Sequence, residues 1–560
     1  MMDLSFRWPH PRFATPVGVI SARLHTFDNV YGMDPDFTTE TTDGDGSVRI
    51  ASPALRWAGG EQAAAGSVDV VVSPTKGGSR IQISGFHADG IRSLAITLHD
   101  VPRGVVEGVR EGRLDVPDGG RIIRYPNGWF DLASPSLAHV GSDPEQTLAI
   151  RSLAEHMHPQ TFAVIPHFDD VTLVDIELII EADASRPAPD FAAPAWVVLR
   201  GADAKLQSAV EHRSHVHSSH PADPWETRDD VPDWMREVSL VATLHGQHFT
   251  GKTFLDYEAM LEALRTIARE IDGRRVLAYL PGWEGRYYRN YGSYRAEPTM
   301  GGDAGFQRLV DGAHELGVHV MPMFGANIAS RDVPGFERWA EPGILRRASG
   351  LSDAGSVDWD GSRHYDYGGG ALINLAYEPW RRHLVAQIAR LQERFGFDAT
   401  FLDITAMYSN DPNGDSTEGL RSLARELREA VPGHLVAGEA WYDAISSITP
   451  LVQTGHHDTV PVYHDLPDEE LFTRSNRSFG HVCLGDPAFH SSGVHEAGYV
   501  AAWRLPVRRG VIPTLGVVNG TLQAAPERVA LIINDAHEYA ECYLSRDANS
   551  VQTKAHSTAG

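Results

Sequence analysis

The chain has 560 residues and a mass of 61.3 kDa, more than one hydrophobic core usually organises, and this length predicts two or three domains. Hydrophobic residues make up 42% and charged residues 22%, which is the balance of a water-soluble globular protein. The formal net charge of −25 argues against a nucleic-acid partner and favours an acidic enzyme or binding protein.

The sequence also bears on location. The first residues, MMDLSFRWPHPRFATP, lack the basic and then apolar segments of a signal peptide, and no window approaches 18 consecutive apolar residues. The two cysteines, Cys483 and Cys542, fit a reducing compartment. We therefore expect a cytoplasmic protein with no membrane contact.

Residues 1–200 are predicted to form a β-sandwich. Short alternating runs such as VDVVVSP, RIQISGF and VTLVDIELIIEAD are separated by Gly, Pro, Asn and Asp, which is typical of many short strands joined by turns. Residues 201–235 follow as a connecting segment, in which ADAKLQSAVEHRSHV predicts a helix ahead of a polar stretch.

Residues 236–550 change to a repeating pattern of strand, loop and helix. The predicted strands are, in order, SLVATLHG, RRVLAYLPGW, VHVMPMFGANI, ATFLDIT, HLVAGEA, TVPVYHDL, HVCLGDP and RRGVIPTLGVV, and ERVALIINDAHEYAECYL predicts a closing helix. Apolar strands that alternate with amphipathic helices indicate an α/β fold with a parallel sheet, and eight such units fit a (β/α)8 TIM barrel. A doubly wound sheet is the alternative, but no Gly-rich phosphate loop follows the first strand.

In a TIM barrel, the functional groups lie at the carboxyl ends of the strands. Polar residues stand at these predicted ends: His245, Asn327, Asp403, Glu439, His464, Asp465 and Asp486. Aromatic residues lie in the same loops, namely Trp283 and Tyr288 after the second strand and Trp441 and Tyr442 after the fifth. Such rings either pack in a lid or core, or stack on the apolar faces of sugars.

The acids Asp403 and Glu439 end two consecutive strands, so a barrel brings them close together. A single acid at a strand end often caps a helix or pairs with Arg, but neither of these acids has a basic neighbour in sequence. Two close carboxyl groups raise one pKa and leave the other group ionised. This division suits a proton donor and a nucleophile that act on a glycosidic bond.

The segments GFDATFLDIT and GEAW, behind a β-rich region and the entry PDWMREVSLVATLHG, resemble retaining α-glycosidases. The likeness is greatest to barrels of the endo-α-N-acetylgalactosaminidase type and their bacterial relatives, and more distant to the α-amylase superfamily. It covers most of residues 230–545. The resemblance implies double displacement on an α-galactosaminide, α-galactoside or α-glucoside, with Asp403 as nucleophile and Glu439 as general acid/base.

The same resemblance implies that the other polar and aromatic residues at the strand ends bind a carbohydrate substrate, without cofactor or metal. The chain departs from the pattern at Phe401, where α-amylases carry Arg and melibiase-type α-galactosidases carry Lys. Those α-galactosidases use an acid after the sixth strand, a role that Asp465 would fill.

Two other classes of function compete with this interpretation. The motif HVHSSH (215–220) has the H-x-H pattern of metal-dependent hydrolases of the amidohydrolase type, but its polar, helix-like context differs from the strand end those enzymes use. The motifs GHHD (455–458) and HEAG (495–498) are equally short. A non-catalytic carbohydrate-binding barrel is the second alternative, although a binder does not need two acids.

Overall fold

The computed structural model describes residues 10–109, 112–126, 132–247, 251–285, 290–351, 370–454, 471–480, 507–518 and 520–544. Up to Arg200, the described strands are Phe13–Thr15, Gly18–His25, Val30–Met33, Thr39–Thr42, Val48–Trp57, Gln62–Thr75, Gly78–Phe86, Ser93–Pro102, Val105–Val109, Gly112–Asp115, Arg121–Tyr125, Ser136–Val140, Leu148–Ser152, Gln160–Pro166, Leu173–Glu181, Asp190–Ala192 and Trp196–Arg200. Every pairing among these described strands is antiparallel, for example along the whole of Leu173–Glu181.

The strands of this N-terminal region form because apolar residues alternate along them. In Gln62–Thr75, the side chains of Val68, Val70 and Val72 are buried while the residues between them are partly exposed. The strand Val30–Met33 pairs on both sides and thereby joins two series of strands. The predicted β-rich character is confirmed, and the sandwich arrangement stays a prediction.

A helix connects this region to the next. Ala204–Ser219 is helical, as its sequence predicts, and a 3-10 turn at Asp233–Glu237 precedes the next strand. The helix packs on strands of the N-terminal region, with Ala204, Ser208, His212 and Val216 on its buried face. The motif HVHSSH therefore lies mainly on a helix and not at the end of a barrel strand.

The C-terminal region contains an all-parallel sheet. Its barrel strands, numbered first to eighth, are Leu240–Leu244, Val276–Leu280, His319–Gly325, Ala399–Asp403, Leu435–Glu439, Leu451–Thr454, Arg477–Gly480, and Val511–Ile512 continued by Thr514–Val517. The eighth strand, interrupted at Pro513, pairs with the seventh through Val511 and with the first through Thr514. The sheet therefore closes on itself, and the predicted barrel is confirmed.

Helices surround this barrel. Those described are Tyr257–Ile267, Gly302–Glu315, Phe336–Trp339, Glu378–Phe395, Ser416–Ala430, Thr521–Ala524 and Pro526–Tyr539. Acidic side chains cap two of them, because Asp256 accepts from the N–H of Ala259 at 2.8 Å and Asp415 accepts from the N–H of Thr417 at 2.7 Å. Between the third and fourth strands, Ile328–Ser330 pairs with Gly370–Leu372.

The predicted sixth and seventh strands are wrong. The sixth barrel strand is Leu451–Thr454 and the seventh is Arg477–Gly480, whereas TVPVYHDL and HVCLGDP lie outside the described residues. Each observed strand has only four residues and includes polar ones, so neither produces a long apolar run. A short 3-10 turn, Asp443–Ile445, replaces a full helix between the fifth and sixth strands.

Aromatic rings fill the barrel interior. The ring of Phe401 lies 4.6 Å from that of Tyr279 and 6.0 Å from that of Phe479, measured between centroids. All three side chains are buried. The residue at position 401 therefore packs in the core, where a charged side chain would lack a partner.

Candidate active site

The fourth and fifth barrel strands place Asp403 and Glu439 side by side. The two strands pair in parallel, with Leu402 opposite Gly438, so both acids leave the barrel at the same end. The Glu439 side chain shares a hydrogen bond with that of Asp403, and its Oε2 accepts from the backbone N–H of Ile404 at 2.8 Å. Asp403 is only 5% exposed. The two carboxyl groups therefore form one buried unit.

Burial sets the protonation of this pair. Burial raises the pKa of Glu439 well above its usual range, and the negative charge of Asp403 raises it further. Burial also raises the pKa of Asp403, but hydrogen bonds from Tyr291 and Glu439 oppose that rise. Glu439 is thus the group that holds the proton, and Asp403 is the ionised, more acidic partner.

The backbone turns sharply just after each acid. Ile404 has φ +64° and Ala440 has φ +56°, both in the left-handed region that non-glycine residues rarely adopt. For Ile404, which is β-branched, this conformation is especially unfavourable. Strained residues of this kind persist where the surrounding contacts enforce them, and here each strained residue directly follows one of the two acids.

Tyr291, from the loop after the second strand, contacts Asp403 directly. Its hydroxyl donates to Asp403 Oδ2 at 2.7 Å, and the ring is fully buried. The ring also lies over Gly325, since a Cβ at that glycine would come within 2.1 Å of it. The sequence indicated no role for Tyr291, because the hydrogen bond joins residues 112 positions apart.

Further buried polar atoms lie at the same end of the barrel. Glu284 is fully buried, and neither of its carboxyl oxygens has a hydrogen-bond partner among the described residues. Burial raises the pKa of Glu284 well above its usual range, and the charge of Asp403 adds to the effect. Asn327, at the end of the third strand, is 1% exposed with an unbonded Oδ1. His245 ends the first strand and is 7% exposed.

The aromatic residues predicted to stack on a sugar lie in the core instead. The Trp283 N–H donates to the carbonyl of Met323 at 2.9 Å, and its ring stacks on Phe306. Trp441 and Tyr442 are buried as well, and the Tyr442 hydroxyl bonds the Thr417 hydroxyl at 3.0 Å. All three rings are buried and present no exposed face in this structure, and their stacking role stays a prediction.

Four residues predicted to bind substrate, Tyr288, His464, Asp465 and Asp486, lie outside the described residues. The motifs GHHD and HEAG lie there too. In HVHSSH, His215 bonds the carbonyl of Ala154 at 2.9 Å, which gives it a structural partner. Across the described part of the chain, no helix is long and apolar enough to cross a membrane.

The N-terminal region reaches the loop that follows Glu439. The Tyr125 hydroxyl donates to Asp443 Oδ1, and His212 Nε2 lies 3.3 Å from Asp443 Oδ2. The backbone N–H of Asp443 donates to the carbonyl of Ala133 at 2.8 Å. Sequence alone did not indicate this contact, because it joins residues more than 200 positions apart.

The fold has known counterparts. No family model matches the sequence, and no curated protein is similar to it. An α-N-acetylgalactosaminidase from Bifidobacterium bifidum, solved with GalNAc, superposes with a TM-score of 0.63 at 13% identity, covering 92% of this chain and 87% of that one. The ligand-free structure of the same enzyme gives a TM-score of 0.60 at 13% identity, covering 84% of this chain and 85% of that one.

A GH36 α-galactosidase from Geobacillus stearothermophilus gives a TM-score of 0.49 at 12% identity, covering 94% of this chain and 76% of that one. At such low identity, the Bifidobacterium match establishes a shared fold and leaves activity open. The chain is thus a parallel-barrel protein with an N-terminal β-rich region, built like an α-N-acetylgalactosaminidase. These structures lend no support to the endo-type or α-amylase resemblance.

Proposed function

We propose that the chain is a glycoside hydrolase that cleaves α-glycosides with retention, acting on an α-N-acetylgalactosaminide or α-galactoside. The α-glucoside class is the less favoured substrate, since the structural neighbours named above act on the other two sugars. The observation that carries this proposal is the buried, hydrogen-bonded pair of Asp403 and Glu439 at the ends of neighbouring barrel strands.

In this mechanism, Asp403 attacks the anomeric carbon and forms a covalent glycosyl intermediate. Glu439, which holds a proton, gives it to the departing glycosidic oxygen. It then takes a proton from the water that attacks the anomeric carbon and releases Asp403 from the sugar. The Tyr291 hydroxyl keeps Asp403 oriented and limits the rise in the pKa of its carboxyl.

The separation of the two acids has a mechanistic consequence. Retaining enzymes hold their two carboxyl groups about 5 to 5.5 Å apart, whereas these two share a hydrogen bond. In the proposed complex, the substrate lies between the two carboxyl groups, so that the proton of Glu439 reaches the glycosidic oxygen. If Glu439 stays with Asp403 in the complex, Asp465 after the sixth strand takes over as acid/base.

Unpaired polar atoms around the acids support a ligand rich in hydroxyl groups. A buried carboxyl or amide without a partner costs about 1 to 3 kcal/mol. Glu284 and Asn327 both carry such atoms, and the hydroxyls of a bound sugar would satisfy them. We assign these two residues, with His245, to substrate binding.

The domain assignments belong to the same proposal: a β-sandwich at 1–200, a connection at 201–235 and the catalytic barrel at 236–550. The proposal of a sandwich is supported by a contact between the two series of N-terminal strands that Val30–Met33 joins. A Cβ placed on Gly85 in one series would lie within 3.2 Å of side-chain atoms of Leu24 and Leu94 in the other.

The decisive experiment is to assay p-nitrophenyl α- and β-glycosides with the full chain and with Asp403→Asn. We expect hydrolysis of the α-galactosaminide or α-galactoside, with a loss of about 1,000-fold or more in the variant. Asp398→Asn is the matched control, because Asp398 precedes the other end of the same strand and bonds His314 at 2.9 Å.

The alternatives give different results in that assay. Loss of activity with EDTA would favour the metal-dependent hydrolase. Sugar binding without turnover by the unmodified chain would indicate a non-catalytic binding barrel. Full activity of Asp403→Asn would overturn the proposed nucleophile.

A further inference from the structure

A second group of titratable side chains lies in the N-terminal region and has no part in the proposed reaction. His167 Nε2 lies 2.7 Å from Asp175 Oδ1 and 3.8 Å from Asp100 Oδ1. One ligand atom from each of these three residues lies within 4.8 Å of the others. We call Asp100, His167 and Asp175 the His–Asp–Asp cluster.

An irregular strand pairing builds the cluster. Val101 pairs with Val174 and Leu98 pairs with Ile176, so His99 and Asp100 together face Asp175 alone. This is a β-bulge, a feature that redirects side chains and is often found at functional positions. Asp100 adopts φ +57°, so the backbone there is held in an unfavourable conformation while its carboxylate turns towards His167.

The carboxylate oxygens that face away from His167 have their own partners. Asp175 Oδ2 lies 2.9 Å from His99 Nδ1, and the other ring nitrogen of His99 bonds the Ser21 hydroxyl at 2.8 Å. Asp100 Oδ2 accepts from Arg12 at 3.2 Å. Metal-binding carboxylates are usually oriented by such outer hydrogen bonds. Asp175 Oδ1, which faces His167, also accepts from the backbone N–H of Asp100 at 3.2 Å.

We propose that the His–Asp–Asp cluster binds a divalent transition-metal ion of the Zn²⁺ type. One imidazole nitrogen and two carboxylate oxygens form a donor set that Zn²⁺ accepts, with water completing the coordination. On binding, the ion would contact His167 Nε2 and Asp175 Oδ1, which now lie 2.7 Å apart in a hydrogen bond, so the metal and a proton compete for this position. The strained bulge supplies two of the three ligands, so we infer that the ion strengthens the sheet.

His167 follows Gln160–Pro166, Asp175 lies on Leu173–Glu181 and Asp100 lies on Ser93–Pro102. These three strands are consecutive neighbours in the sheet, because the middle one pairs with both of the others. A bound ion would therefore connect three strands at one end. This inference is independent of the glycosidase proposal.

The test uses the full chain, freed of metal with EDTA and then dialysed. Zn²⁺ is titrated calorimetrically into the unmodified chain and into Asp175→Asn, and Co²⁺ absorption reports the ligand field. We expect one equivalent of Zn²⁺ whose binding is weakened about 100-fold or more in the variant. His99→Gln should weaken it about 10- to 100-fold, as the loss of an outer hydrogen bond does.

Histidines elsewhere could also bind Zn²⁺, so His217→Gln is the matched control. It removes one ring from the histidine-rich helix Ala204–Ser219 and leaves the cluster intact. Equal Zn²⁺ binding by the unmodified chain and Asp175→Asn would overturn the proposal, as would loss of the equivalent in His217→Gln. If Asp175→Asn fails to fold, Asp100→Asn, whose carboxyl is 42% exposed, gives the same comparison.

Discussion

The hydroxyl of Thr405 holds the backbone of Glu439 by two hydrogen bonds. It donates to the Glu439 carbonyl at 2.8 Å and accepts from the Glu439 N–H, also at 2.8 Å. Thr405 follows Asp403 by two residues, so this single side chain ties the turn after one acid to the end of the strand that bears the other. The approach is close because Gly438 has no side chain: a Cβ there would lie 2.6 Å from the Thr405 oxygen.

Replacing Thr405 by Val should therefore disturb catalysis more than substrate binding. The change removes both hydrogen bonds and leaves two buried backbone groups unpaired, at a cost of about 1 to 3 kcal/mol in unfolding free energy. We expect kcat to fall by about 100-fold, since small displacements of reacting groups have effects of that size, with little change in KM. Thr405→Ser keeps the oxygen and should restore kcat; equal losses in both variants would contradict the prediction.

Tyr291→Phe tests the contact that opposes protonation of Asp403. The tyrosine hydroxyl stabilises the ionised carboxylate, so its removal should raise the pKa of Asp403. The acidic limb of the profile of kcat/KM against pH should then move to higher pH by about one unit, the worth of one hydrogen bond. Tyr294→Phe, which alters a neighbouring buried ring, is the control. A shift of the limb to lower pH would refute the assignment.

The role of Glu439 is separable from that of Asp465 by the choice of leaving group. If Glu439 donates the proton, Glu439→Gln should lose activity strongly on substrates with poor leaving groups and much less on dinitrophenyl glycosides, which need no protonation. Asp465→Asn should then show the same loss on both substrates. The opposite pattern would transfer the acid/base role to Asp465 and leave Glu439 to position Asp403.

Glu284→Gln should change stability with pH. A carboxyl whose pKa is raised by folding is destabilising once the pH exceeds its unfolded value of about 4.3, because the unfolded chain then releases the proton more readily. The free energy of unfolding of the variant should therefore rise relative to that of the unmodified chain as the pH increases from 4.5 to 7, by at most about 1.4 kcal/mol per pH unit. Urea unfolding at both pH values measures this gap.

One outcome of that measurement would contradict the prediction. A constant gap between pH 4.5 and 7 would show that Glu284 already has a charged partner. The exposed Glu258, whose side chain is 67% exposed, provides Glu258→Gln as a control without pH dependence. Because Glu284 is assigned to substrate binding, the variant should also raise KM.

The strands that could be predicted are the ones with long apolar runs. Leu240–Leu244 and Ala399–Asp403 are buried along their full length and therefore read as continuous apolar segments. Leu451–Thr454 and Arg477–Gly480 could not be predicted in this way, because a run of four residues that includes polar ones resembles a loop. Their places in the barrel are defined by parallel pairing with neighbouring strands.

The sequence by itself determined the parallel barrel and the placing of Asp403 and Glu439 at one end, because a strand of known direction fixes which end its last residue occupies. Only the tertiary structure decided which side chains surround them. Trp283 and Trp441 pack in the core, the Tyr291 hydroxyl bonds Asp403, and Glu284 is buried where the charge of Asp403 raises its pKa. The physical reason is that burial and hydrogen bonding depend on contacts between residues far apart in the chain, and no local pattern encodes them.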